Sequence, residues 1–171
     1  MSGATLPRTA PSAICAMLAA LFGLIAQGFA ETSQAARRKA SSRTATSANA
    51  QQECLAMAMY WEARGEGLGG MTAVGWTVLN RMRSGQFPTT PCGVVHQGKQ
   101  TWPCEFEFWC DGRDDTPRES GSWHSAMTLA AQLLHDPPPD PTRGALYFHG
   151  GGIRMPHHAR TRKIGGHVFY R

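Results

Sequence analysis

Residues 59–82 read MYWEARGEGLGGMTAVGWTVLNRM. A glutamate, Glu62, stands among Met57, Met59, Tyr60 and Trp61. A second, Glu66, follows four residues later, inside a run of glycines. Leu55, Ala58, Met59 and Glu62 fall at i, i+3, i+4 and i+7, the spacing of one helix face. The pattern predicts a helix over 51–63 in which Glu62 continues the apolar stripe, at the edge of a core or facing a cleft. Gly65, Gly67, Gly69 and Gly70 predict a break. Residues 71–82 then predict a second helix that buries Met71, Val74, Gly75, Val78, Leu79 and Met82.

Outward from this pair the chain changes character. Residues 84–119 are loop-rich, with Pro88, Pro91, Pro103 and Pro117. Ser122 is placed to cap a third helix containing Trp123, Met127, Ala130 and Leu134. The run DPPPDP at 136–141 ends it, because proline neither donates a backbone hydrogen bond nor continues a helix. ALYFH (145–149) and HVFY (167–170) read as strands joined by a glycine-rich, basic loop. Helices with a small C-terminal sheet make an α+β domain.

Toward the N-terminus, Arg8 and the apolar run 13–26 read as the charged and hydrophobic parts of a secretory signal. Gly28-Phe29-Ala30 offers a cut before Glu31, so 1–30 is the expected signal peptide. The run is shorter than the roughly 20 residues a membrane-spanning helix needs, so no stable membrane insertion is expected once it is removed. Residues 31–50 are small, polar and basic and read as a flexible linker. The folded domain is expected over 51–171. Removal of 1–30 leaves Cys54, Cys92, Cys104 and Cys110, an even number that suggests disulfides in an exported chain. Four cysteines allow three pairings, and all three stay open.

The chain carries a formal charge of +5. Residues 51–171 are nearly balanced, with 12 basic against 11 acidic side chains, although 154–171 hold five basic and no acidic ones. An exported protein rarely meets nucleic acid, so an anionic polymer of the cell envelope is the partner this basic end suggests. No cofactor is expected. The cysteines include no CxxC pair. His149, His157, His158 and His167 form no HExxH motif, and neither a GxSxG elbow nor a P-loop is present.

Carboxylates and aromatics carry the remaining chemistry. Apolar walls disfavour the charged form of a carboxyl group and raise its pKa. By this physics the lysozyme glutamate in its hydrophobic pocket titrates at about pH 6 and donates a proton. Glu62 is placed to do the same. The plain alternative is a helix-end carboxylate paired with Arg64 or a backbone amide. Glu66 is either a second carboxylate of the site or a local hydrogen-bonding group of the turn. Glu105, Glu107, Asp111, Asp114 and Asp115 are other acidic partners, most of them expected to be solvated. Trp102, Phe106, Phe108 and Trp109 interleave with them, and would line a sugar site or form a small disulfide-supported core.

YWEARGE (60–66), GMTAVGWTVLNRM (70–82), FPTTPCGVVHQ (87–97), CEFEFWCDG (104–112), ALYFH (145–149) and IGGHVFYR (164–171) together resemble the cell-wall hydrolases of the spore-cortex-lytic, SleB-like type. The resemblance spans about 53–171. It implies a lysozyme-like α+β fold, mainly helical with a small C-terminal sheet, acting on peptidoglycan glycan strands in the periplasm or cell envelope. It makes Glu62 the catalytic acid of a lytic transglycosylase, with a hydrolytic muramidase or a non-catalytic glycan-binding domain as alternatives. Glu66, Phe108, Asp111, Tyr147 and Phe148 are the expected substrate-binding residues, no metal is implied, and a regulatory protein is a further candidate partner. The chain departs from the pattern in three places. Trp61 stands where Gly or Phe is usual, Glu107 where Ser is usual, and Pro156-His157-His158-Ala159 replaces Pro-x-Trp-Ala.

Overall fold

The computed structural model describes residues 13–98, 104–152 and 154–171. The chain divides into two compact units, Met1–Thr46 and Ser47–Arg171. Residues 1–12 of the expected signal peptide, and Trp102, lie outside the described residues. Helix α1 runs over Ala13–Ala63, 51 residues. Residues 31–50 are therefore continuous helix, not the flexible coil expected from their composition. They contain no Gly or Pro, and their Ala, Arg, Lys and Gln residues are good helix formers. Thr44 and Thr46 donate their hydroxyls back to the carbonyls of Ala40 and Ser42, at 3.1 and 2.9 Å. Among the described residues no helix is long and apolar enough to cross a membrane.

In the second unit, the end of α1 presents Leu55, Ala58 and Met59 to the core, all fully buried, with Glu62 next on the same face. Ala56, Tyr60 and Ala63 are buried as well, so the inward arc is wider than one stripe. A single 3-10 turn, Arg64–Glu66, then reverses the chain, and α2 follows over Gly67–Arg83. Gly67, at φ +67°, makes the reversal in a backbone conformation that other residues rarely adopt. Gly69 and Gly70 do not break the helix; they belong to its first turn. Gly70 is buried there, and a β-carbon on it would run into the Glu66 side chain. Glycine at 70 thus reflects a close approach within a helix.

Helix α2 is the central element, with ten of its residues buried, Met71, Val74, Val78 and Leu79 among them. A helix apolar on nearly every side is one packed on nearly every side. It meets α1, the short α3 (Pro91–Val95) and α4 (Ser120–His135). Thr90 caps α3 by accepting from Gly93 N at 3.1 Å. Helix α4 starts two residues earlier than the expected Ser122 cap and buries Ala126, Ala130 and Leu133, while Trp123, Met127 and Leu134 pack at the core's edge. Its entry is fixed by Tyr60, whose hydroxyl accepts from the backbone amides of Arg118 and Glu119, both at 3.1 Å.

Three antiparallel strands close the unit in the order β1-β3-β2: β1 Tyr147–Gly150, β2 Arg160–Ile164 and β3 His167–Tyr170. Phe148 pairs with Phe169 and His149 with Val168. Strand β2 lies in the stretch expected to be a basic loop. Its sequence RTRKI is mostly exposed, so it carries little apolar alternation to reveal it. The sheet packs on α2 through Ala73, Ala145 and Phe169. Asn80 on α2 secures the approach to β1 by donating to Asp140 Oδ2, Thr142 Oγ1 and the Ala145 carbonyl at 3.0, 3.3 and 3.2 Å.

The disulfides are Cys54–Cys92 and Cys104–Cys110. The first ties α1 to the start of α3; the second closes a local loop. Their sequence separations are 38 and 6 residues. On loop-closure entropy the long bridge contributes about 4 kcal/mol and the short one about 2 kcal/mol. Urea denaturation should therefore find a Cys54→Ser/Cys92→Ser double variant less stable than Cys104→Ser/Cys110→Ser. Equal losses would contradict an unfolded-state origin for the difference.

Candidate active site

Glu62 sits on the last turn of α1, where the apolar face of the helix runs out. It is partly buried, and among the described residues no hydrogen bond is made to its carboxyl group. Burial raises its pKa from the ordinary 4.5 to about 7; the nearby Glu107 carboxylate pushes the same way, and Arg81 opposes both. A carboxyl group that is shielded and titrates near neutrality can both give and take a proton at physiological pH.

Arg81 was not legible as a site residue in the sequence. It is 4% exposed, on the inner face of α2. Its Nε donates to the Leu146 carbonyl at 2.7 Å, and its Nη1 lies 2.9 Å from Glu105 Oε2 in an ion pair short of a well-aligned hydrogen bond. Its guanidinium packs over Phe87, Phe106 and Tyr147, 4.9, 5.6 and 5.7 Å from their ring centres. Burial lowers its pKa, while Glu105 chiefly opposes that shift. The only sequence signal was an arginine at the inward end of an otherwise apolar helix, which is easily mistaken for a helix-terminal surface charge.

Phe106 and Phe108 anchor the chain on either side of Glu107. Phe106 is fully buried and Phe108 nearly so, while Glu107 between them is exposed. Phe108 stacks on Trp61, the neighbour of Glu62, with ring centres 6.4 Å apart and planes 25° apart. Trp61 donates its indole N–H to the Asp115 carbonyl at 3.2 Å, tying the 111–119 loop to the end of α1. Arg64 lies over the Trp61 ring at 4.6 Å and pairs with Glu119 at 2.9 Å.

The expected substrate-binding residues separate into distinct settings. Phe108 and Asp111 line a hollow of about 480 Å³ together with Trp61, Arg64, Arg113 and Arg118. Asp111 also accepts from the Arg113 amide at 2.8 Å. A hollow of about 530 Å³ shares Phe108 and includes Cys54, His96 and Trp109. Its His96 ring stacks on Trp109 at 3.7 Å. Tyr147 lies against Arg81 and meets His158 at 4.3 Å. Phe148 is packed between Phe106 and Phe169, at 6.5 and 5.8 Å, and joins helices to sheet.

Glu66 accepts from the Gly166 amide in the β2–β3 turn at 2.7 Å. A β-carbon at Gly166 would lie 2.6 Å from Glu66 Oε1, so the paired glycines let the turn close around this carboxylate. Glu66 is thereby bound to a partner 100 residues away in sequence, in the turn between β2 and β3. His167, half-buried nearby, has its pKa lowered by burial against the opposing charge of Glu66. Among the described residues no group of three or more His, Cys, Asp or Glu is arranged to hold a metal ion.

Comparison with known proteins bears on both the sequence and this geometry. The cell wall hydrolase family matches residues 65–170, beginning just after Glu62. A spore cortex-lytic enzyme from Bacillus cereus is 34% identical over 122 residues, which cover 68% of this chain and 42% of that enzyme. One from Halalkalibacterium halodurans is 30% identical, covering 68% of this chain and 33% of its own length. The chain thus spans less than half of these relatives. Among solved structures, the catalytic domain of the Bacillus cereus SleB protein superposes with a TM-score of 0.56 at 30% identity, covering 71% of this chain and 89% of that domain. The catalytic domain of the germination-specific lytic transglycosylase SleB from Bacillus anthracis gives the same score and identity and is covered to 93%. With its helical body and three-stranded C-terminal sheet arranged as in those domains, this chain belongs to the cell wall hydrolase family and has the SleB catalytic-domain fold.

Proposed function

We propose that the protein cleaves the glycan strand of peptidoglycan between N-acetylmuramic acid and N-acetylglucosamine, as a lytic transglycosylase, with Glu62 as acid and then base. The observation that carries this is the shielded carboxyl group of Glu62, with a pKa of about 7 and no hydrogen-bond partner among the described residues. Glu62 gives its proton to the bridging oxygen as the bond from muramic C1 to that oxygen breaks, its electron pair leaving with the oxygen. Positive charge develops at C1. The Glu62 carboxylate then takes the proton from the muramic C6 hydroxyl, whose oxygen closes on C1 to form the 1,6-anhydro ring. One group acts twice, which requires a pKa near the working pH. Trp61 and Phe108 offer apolar ring surface to sugar faces, and Asp111 with the arginines of the same hollow offers hydrogen-bonding partners to the flanking groups. The expected signal and the two disulfides favour action outside the cytoplasm, in the periplasm or envelope.

A hydrolytic muramidase is the second reading, and Glu107 is the observation that favours it. A hydrolase needs a carboxylate besides the acid, to activate water or to attack C1. Glu107 is the carboxylate with the strongest electrostatic effect on Glu62.

Mass spectrometry of peptidoglycan digested by the purified protein and by Glu62→Gln separates these readings. Anhydro-muropeptides from the parent protein alone are expected. Products with free reducing ends would replace transglycosylation by hydrolysis, and undiminished turnover by the variant would remove Glu62 from the reaction.

The raised pKa also has a sign in stability. Between the unfolded value of 4.5 and the folded value of about 7, the folded protein binds the extra proton. The stability associated with protonated Glu62 is full below pH 4.5 and is lost as pH rises through about 7. Glu62→Gln should therefore change stability little at pH 4 and raise it at pH 8, by on the order of 1–3 kcal/mol. Thermal melts of the two proteins at both pH values check this, and a stabilisation that is the same at pH 4 and pH 8 would count against it.

A further inference from the structure

Strand β2 presents Arg160, Arg162 and Lys163 to solvent from an outer position in the sheet. None of the three forms an ion pair among the described residues. We infer that this strand is an anchoring surface for the cell wall, its cations taking the free carboxylates of the peptide stems that branch from the glycan strand. The inference rests on peptidoglycan as the substrate, and not on the role of Glu62.

The surface stands on a fixed base. The order β1-β3-β2 pairs β2 with β3 on one side and leaves its other side without a strand. Beyond the strand ends, Ala159 and Arg171 continue the ladder, exchanging backbone hydrogen bonds at 3.0 and 2.9 Å, and Arg171 adds a further exposed cation. The register shifts between Arg160 and Arg162, where the Thr161 hydroxyl donates to the Phe169 carbonyl at 3.2 Å. Such a bulge re-aims side chains without releasing the strand. Ile164 packs against Ala73, Ala145 and Phe169, which fastens the hairpin to α2. Gly166 in its turn donates to Glu66 at 2.7 Å, which fastens it to the turn after α1. The carboxylate that the hairpin meets is thus engaged with a backbone amide.

Charge selects the partner. Residues 141–171 contain six arginines or lysines and no Asp or Glu, so the strand faces anions. A guanidinium matches a carboxylate with two parallel hydrogen bonds. Carboxylates repeated along one polymer turn weak single contacts into a lasting hold. A membrane is the poorer fit, because binding in its interface also takes apolar side chains. Among the described residues the large exposed hydrophobic is Leu68, on α2, and β2 offers none. Charges on an outer strand can also serve only to prevent pairing with another chain, a role that needs no wall.

The test is co-sedimentation with insoluble peptidoglycan, in a Glu62→Gln background so that the wall is not consumed. Arg160→Gln/Arg162→Gln/Lys163→Gln should bind roughly tenfold more weakly at low salt. Added salt should weaken the parent more than this variant, because screening acts on the lost charges. Arg37→Gln/Arg38→Gln/Lys39→Gln, the same charge change on α1, should bind nearly as the parent does. Wall whose carboxylates have been amidated should hold the parent as weakly as untreated wall holds the β2 variant. With Glu62 restored, the β2 variant should need more wall for half-maximal turnover at an unchanged maximal rate. Unchanged binding by the β2 variant would overturn the inference, and self-association of that variant would then assign the charges to edge protection. Equal loss in the α1 variant would reduce the effect to net charge and overturn it too. So would undiminished binding to amidated wall, or tighter binding to vesicles of anionic phospholipid than to wall. Wall that is bound through β2 yet never cleaved would strike the proposed reaction and leave the anchor standing.

Discussion

The burial of one arginine organises this domain. Arg81 lies where α2, the approach to β1 and the Cys104–Cys110 loop converge. An isolated buried guanidinium would cost several kcal/mol in lost hydration. Here the cost is offset by the Leu146 carbonyl, the Glu105 carboxylate and three aromatic faces. These partners come from different parts of the chain, so satisfying the charge requires those parts to meet. Removing Glu105 would leave the cation buried without its anion, which is more damaging than never having had the pair. The position of the loop, and with it of Glu107, is thereby linked to a core requirement and not to loop packing alone.

The surroundings of Glu62 follow from where α1 stops. Had the helix continued, position 66 would lie about 6 Å along the same face, and two carboxylates would share one small region. The 3-10 turn and the positive φ of Gly67 redirect the chain after Ala63. Glu66 is carried to the Gly165-Gly166 turn, where it accepts a backbone hydrogen bond, whereas Glu62 has none among the described residues. The two glutamates of one short motif thus take opposite roles by geometry. One accepts a backbone hydrogen bond from the β2–β3 turn, and the other makes none among the described residues.

The part of this that was legible in the sequence was the part governed by periodicity. The stripe Leu55, Ala58, Met59 and Glu62 marked the inward face of α1, and the terminal strand 167–170 was equally plain. Three features escaped because their causes are not periodic. The start of α2 looked like a break, since glycines at 69 and 70 usually interrupt helices, yet Gly70 is demanded by the nearness of Glu66. Strand β2 is basic and exposed and shows only as a partner of β3. The disulfide pairing is a property of the folded neighbourhood. Among site residues, Glu62 could be found because a charge in an apolar stripe is conspicuous. Arg81 could not, because its partners lie at 87, 105, 106, 146 and 147. Glu107 was visible as an acidic residue among aromatics, but its electrostatic effect on Glu62 depends on the fold.

Burial and charge balance around Glu62 explain why the site favours a proton there. With Glu62 protonated, Arg81 and the carboxylates of Glu105 and Glu107 leave this small region at one net negative charge. With Glu62 ionised it would carry two, around a cation already engaged, behind apolar walls that weaken solvent screening. In the proposed reaction, proton donation would raise the energy of the site unless the positive charge developing at the sugar compensated it. That compensation would exist only while the glycosidic bond is breaking and would disappear on closure of the anhydro ring. The C6 hydroxyl proton would then be taken up by a carboxylate whose surroundings favour its return.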